Sequence, residues 1–196
     1  MTDNRIQDIK SLFIPGKGIA RSAFLRQNGV CSKDVQELIS RELLVRVKDG
    51  YYCWSDMMDR ISDYQIATYT IPNAVICGLS AASIYDMTTV IPDVVHITVP
   101  NKGKLPTLPD FPSVELTQMK TTLYQIGITE VDGLPIYNRE RTVCDCFRMA
   151  DSIGTDVTLE ILRAYMKGKR DIQKLFEYAD QFHITTRIRP YMEVLL

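Results

Sequence analysis

Lys33, Gln36, Ser40 and Arg41 lie within one short stretch and share the polar side of a segment whose other side is Val35, Leu38, Ile39 and Leu43. At helical spacing they form one outward face rich in hydrogen-bond donors. Such a face fits the major groove of DNA, which is about 12 Å wide, and a Gln there can pair with adenine. Ser32 opens the same segment. Arg46 and Lys48 follow on a β-rich stretch and suit phosphates or a minor groove. Lys17 and Arg21, just upstream, suit the backbone of the duplex. The same residues also suit a plainly solvated face, and Asp34 and Glu37 among them repel phosphate.

Three helices and a hairpin must position these side chains. Ile6, Ile9, Leu12 and Phe13 recur at helical spacing over Arg5–Phe13, and Pro15-Gly16 breaks the run. A second helix is expected over Ile19–Asn28, closed by Gly29. After the apolar turn Gly29-Val30-Cys31, Ser32 is the expected N-cap of a third helix reaching Leu43, with Asp34 in its first turn. Two β-rich runs, Leu44–Val47 and Tyr51–Trp54, flank Asp49-Gly50, a strong hairpin signal. Helix, glycine turn, capped helix and hairpin together spell a winged helix-turn-helix. A head spanning residues 1–60 is therefore expected, with Ser32–Leu43 as its reading helix.

The rest, residues 61–196, reads as an α+β body with a small sheet and a helical tail. Asp63–Thr70 is helical, Ala74–Cys77 short and apolar, and Leu79–Met87 helical. Val94–Val99, Val114–Met119, Gly127–Val131 and Leu134–Tyr137 are strands, the last two joined at Asp132-Gly133. Residues 101–112 are a proline-rich loop. Helices are expected near 139–150, 157–167, 171–182 and 187–195. Arg141 and Asp145 stand at i, i+4 and can bridge, most simply as a pair organising the core. Lys167-Gly168-Lys169-Arg170 reads as a glycine cap with cations at a helix end, or as a second nucleic-acid contact.

Composition narrows the classes. Residues 1–60 carry 10 Lys+Arg against 8 Asp+Glu, and residues 61–196 carry 13 against 16, so a mildly basic head precedes a mildly acidic body. The five cysteines have no C-x-x-C spacing, and Cys144 and Cys146 fall about 200° apart on a helix, poor geometry for a shared metal. Reduced, buried thiols point to a cytoplasmic protein. No apolar run is long enough for a membrane span, and no secretory leader is evident. No phosphate-binding, GxSxG or HExxH motif occurs. Asp110 and Glu115 resemble a nuclease pair, but Thr117 stands where such sites place Lys. No enzyme activity, cofactor or metal is expected.

The motifs in their order resemble the AbiEi-type abortive-infection antitoxins. In the head these are Gly29-Val30-Cys31, Leu38, Leu43-Leu44, Arg46 and Gly50-Tyr51-Tyr52. In the body they are Leu79-Ser80-Ala81-Ala82, His96-Ile97-Thr98-Val99-Pro100, Asp132-Gly133-Leu134-Pro135-Ile136 and Arg141-Thr142-Val143-Cys144-Asp145. The tail from Tyr165 to Ala179 is also similar. The resemblance implies an antitoxin of a type IV toxin–antitoxin pair. Its winged head would bind inverted repeats in its own promoter and repress the operon. Its body, with His96, Arg141, Thr142 and Asp145 as the motif, would counter a nucleotidyltransferase toxin without a stable complex. Related chains act as solitary winged-helix transcriptional regulators, so that role stands as the alternative.

Overall fold

The computed structural model describes residues 1–195 and is α+β. It divides into two compact units. The first is Met1–Ile71 together with Thr107–Ser113, and the second is Pro72–Pro106 with Val114 onward. The boundary expected after residue 60 falls inside the first unit, which also takes in a distant segment of chain.

The first unit begins with α1 (Asp3–Ser11), whose N-terminus is capped by the Thr2 hydroxyl. A strand β1 (Ile19–Arg21), α2 (Ser22–Gln27), α3 (Ser32–Ser40), β2 (Leu44–Lys48) and β3 (Tyr51–Trp54) follow, then a 3₁₀ turn and α4 (Asp63–Thr70). Ser62 and Gln65 cap α4 reciprocally. The sheet runs β1-β3-β2, antiparallel throughout. Ile9, Phe13, Leu25, Val35, Leu38, Leu44 and Trp54 form one core cluster; Ile19, Val47, Cys53 and Ile66 form another.

Three local expectations change. The helix expected over Ile19–Asn28 begins only at Ser22, because Ile19–Arg21 pair with Tyr51–Cys53 as a strand. The N-cap of α3 is Cys31 rather than Ser32: the Asp34 carboxylate turns back to the Cys31 amide at 3.1 Å. The same helix ends at Ser40, since Glu42 takes a left-handed backbone (φ 58°) and sends the chain back through Leu43 N–H to Leu38 C=O. The hairpin turn stands at Asp49-Gly50, with Gly50 at φ 75°.

In the second unit β4 (Val75–Ile76), β5 (Val95–Pro100), β6 (Val114–Met119), β7 (Ile128–Val131) and β8 (Leu134–Tyr137) form a mixed sheet in the order β6-β5-β4-β8-β7. β5 and β6 run parallel, as do β4 and β8. α5 (Gly78–Ile84), the short α6 (Thr121–Tyr124), α7 (Arg139–Arg148), α8 (Ala150–Ile153), α9 (Thr155–Lys167), α10 (Ile172–Gln181) and α11 (Thr185–Leu195) complete it. α7 is central, packing on α5, α9 and α10. Val143, Cys144, Phe147, Ile161, Leu162, Tyr165, Leu175 and Ile188 fill the core around it.

Candidate nucleic-acid interface

α3 buries Val35 and Leu38 and leaves Ser32, Lys33, Gln36 and Ser40 exposed. The binary pattern dictates this: with two buried residues three apart, the intervening polar ones face away. Both acids on the helix are engaged. Asp34 caps Cys31 and pairs with Arg5 at 3.3 Å. The backbone hydrogen bond from Cys31, aided by Arg5, holds its carboxyl below the usual carboxylate range. Glu37 accepts from Arg41 at 2.5 Å and from the Met1 amine at 2.7 Å. The negative charge that would repel a polyanion is thus largely neutralised locally.

A groove of about 280 Å³ opens between the start of α3, α2 and the hairpin. Ser32 and Gln36 line it with Ser22, Arg26, Tyr52 and the Asp49-Gly50 turn. The hairpin tip is tied to α2, since the Ser22 amide donates to Gly50 C=O at 2.8 Å. A methyl group at Gly50 would meet Ser22 Oγ at 3.3 Å, on a backbone that already favours glycine. Arg26 and Tyr52 join this groove without being among the expected contacts. Arg26 was detectable as the residue one turn after Ser22 on α2; Tyr52 needed the hairpin register.

The other expected contacts are scattered. Ser40 and Arg41 sit at the far end of α3, roughly 13 Å along its axis from Ser32 at 1.5 Å per residue. Ser40 Oγ donates to Glu37 C=O at 2.8 Å. Lys17 is exposed at a left-handed turn position, φ 50°. Arg21 is exposed at the start of α2 and lies over the Tyr51 ring, 5.6 Å from its centroid. Arg46 is exposed on β2, with Nε 3.7 Å from Asp110 Oδ2.

Lys48 departs from its expected position. It was expected on the outside of the hairpin, yet it is only 5% exposed and its Nζ donates to Thr70 C=O at 2.7 Å. A bulge between Arg46 and Lys48 breaks the alternation, so that Val47 and Lys48 are both buried. Burial, with a smaller push from Arg21, lowers the ammonium's pKa. Buried and already bonded to Thr70, Lys48 is not presented to a phosphate.

The four motif residues of the second unit are all interior. Arg141 is fully buried. Its Nε donates to Asp145 Oδ1 at 3.0 Å, its Nη1 to Leu123 C=O at 2.9 Å, and Nη2 lies 3.0 Å from Met119 Sδ. The guanidinium is sandwiched by Phe182 and Tyr137, at 3.8 and 4.3 Å from the ring centroids. Burial raises Asp145's pKa against the pull of Arg141 and Arg148. Thr142 Oγ1 donates to Asn138 C=O at 2.9 Å, an internal helix bond. His96 Nδ1 lies 3.1 Å from Ser80 Oγ, and its Nε2 is 3.8 Å from Glu115. Ser80, His96 and Glu115 thus form a row, but Ser80 is wholly buried and its oxygen already accepts from the His96 amide at 2.9 Å. The row ties α5 to β5 and β6 instead of presenting a nucleophile.

Asp110 and Glu115, the nuclease-like pair, belong to different units. Among the described residues no group of three or more His, Cys, Asp or Glu could hold a metal ion, and no helix is long and apolar enough to cross a membrane. Cys77 and Cys144 are buried, which pushes their thiols up to about 12. Lys167, Lys169 and Arg170 are exposed at the end of α9, and Gly168 leaves room there for Arg139, whose Nη2 would lie 2.8 Å from an added Cβ.

No protein-family model matches the chain, and no curated protein does. Among solved structures it is similar to the crystal structure of the RV2827C protein from Mycobacterium tuberculosis. The TM-score is 0.55 at 16% identity, over 91% of this chain and 75% of that one. At that identity the likeness concerns the fold alone.

Proposed function

We propose that the first unit is a winged helix-turn-helix that binds DNA, and that the chain is a type IV antitoxin repressing its own operon. One observation carries the DNA reading: α2, a tight turn, α3 and the β2–β3 hairpin follow in order, and the free face of α3 has both its acids engaged. α3 reads base edges from the major groove through Gln36 and Lys33. Ser32, Ser22 and Arg26 position the backbone at the groove beside it. Double-stranded DNA with inverted repeats in the promoter is the partner. The antitoxin part rests on the resemblance of the motifs along the chain to AbiEi-type antitoxins, and the counterpart is a nucleotidyltransferase toxin.

The interior position of His96, Arg141, Thr142 and Asp145 admits a second reading. These residues hold the second unit together and supply no exposed motif of their own, which fits a solitary winged-helix regulator as well as an antitoxin that forms no stable complex. Binding of the chain to its own upstream DNA, followed by anisotropy across salt, tests the first claim. Absence of salt-sensitive binding at micromolar protein sinks it. Co-expression with a nucleotidyltransferase encoded beside it separates the two roles: rescue of growth supports the antitoxin, and the lack of such a neighbouring gene supports the solitary regulator.

A further inference from the structure

The segment Thr107–Ser113 belongs to the first unit, although it lies within the connection between β5 and β6. It docks beside β2, an edge strand of its sheet. The Asp110 amide donates to Val47 C=O at 2.8 Å, and Pro112 is buried. Pro109 and Pro112 lie within it, fixing φ at each and stiffening the segment. The backbone thus holds Asp110 in place whatever its side chain does. That side chain points its carboxylate at Arg46, Nε to Oδ2 3.7 Å, with Arg46 57% and Asp110 62% exposed. Arg46 is the one hairpin cation left in solvent once Lys48 has turned inward.

We propose that Asp110 is a built-in brake on DNA binding, an autoinhibitory contact resting on the winged-helix reading above. The carboxylate occupies the cation a phosphate would need, and its charge repels the incoming backbone. An exposed pair of this length is weak, so the brake is partial: Arg46 exchanges between Asp110 and phosphate, and the acid lowers affinity without abolishing it. The docking bond is a main-chain one, so the charge can be removed with the segment still seated.

The test uses the full chain with a duplex from its own upstream region and an unrelated duplex of equal length, by anisotropy between about 50 and 200 mM salt. Asp110→Asn is expected to bind both duplexes about three- to fivefold more tightly at the low-salt end. Its log–log salt slope should steepen by less than one, since Arg46 already reaches a phosphate part of the time in the wild type. Asp110→Ser should move in the same direction. Arg46→Gln should weaken binding, and adding Asp110→Asn to it should give no gain. Unchanged or weaker binding by Asp110→Asn, in protein melting like the wild type, overturns the brake while leaving the DNA reading intact. An equal gain on the Arg46→Gln background also overturns it, because the effect is then one of overall charge. Failure of every variant to bind either duplex overturns the winged-helix reading and the brake with it.

Discussion

The two units use the same residue types in opposite ways. In the first, Lys33, Gln36, Arg26 and Arg46 stand in solvent around a nearly all-apolar core, with Lys48 and Thr70 the buried polar exceptions. In the second, Arg141, Asp145, His96 and Glu140 lie inside, each tied to neighbours by hydrogen bonds or ion pairs. The difference teaches that a cluster of polar residues in a sequence has no meaning until its burial is known. An exposed cation can be spent on a partner. A buried one is already committed, since leaving it unpaired costs several kcal/mol.

The sharpest way to break the comparison is Arg141→Met. It leaves Asp145 buried with only Arg148 beside it, and about 3–5 kcal/mol of stability should be lost on chemical denaturation. Adding Asp145→Leu should recover much of that loss; a single variant as stable as the wild type would show that the cluster is not structural. Gln36→Ala should behave inversely, costing about 1–3 kcal/mol in specific DNA binding with an unchanged melting curve. Lys48→Ala tests the boundary between the two behaviours. It should cost about 1–3 kcal/mol of stability, from the unpaired Thr70 carbonyl, while leaving the salt slope of DNA binding alone. A slope lowered by about one would return Lys48 to the surface.

The smallest effect is one of pH. Burial lowers the pKa of His96 from its ordinary 6.5, the nearby Glu115 opposing. The unfolded chain therefore binds the proton more readily just below pH 6.5. His96 contributes stability above that point and loses it as pH falls through the window toward its folded value. The difference in stability between wild type and His96→Gln should shrink over that descent. A difference that grows on acidification would mean that Glu115 dominates.

Much of this architecture can be read locally. β6, β8 and α4 have the expected bounds, because alternation, a turn dipeptide or a cap pair marks them within a few residues. What escaped depends on partners far along the chain. Ile19–Arg21 is a strand only because Tyr51–Cys53 lie beside it. Lys48 points inward only because one extra residue in β2 breaks the alternation against Tyr51 and Tyr52. Of the candidate interface, the outward face of α3 follows from helical spacing; the groove does not, since it needs α2, α3 and the hairpin assembled. The Arg141–Asp145 pair was visible at i, i+4, but its enclosure between Tyr137 and Phe182 was not.

The split course of the chain through the first unit has a bearing on how the protein is made. The segment that seats against β2 emerges from the ribosome about 40 residues after Ile71. At 5–20 residues per second, that is a wait of roughly 2–8 s. During that interval the open edge of β2 is available for pairing with another nascent chain, and Val45 on it is exposed and apolar. A fragment ended at Ile71 would hold that edge open permanently. It should self-associate at concentrations where the full chain does not, although every residue of α3 and the hairpin is present.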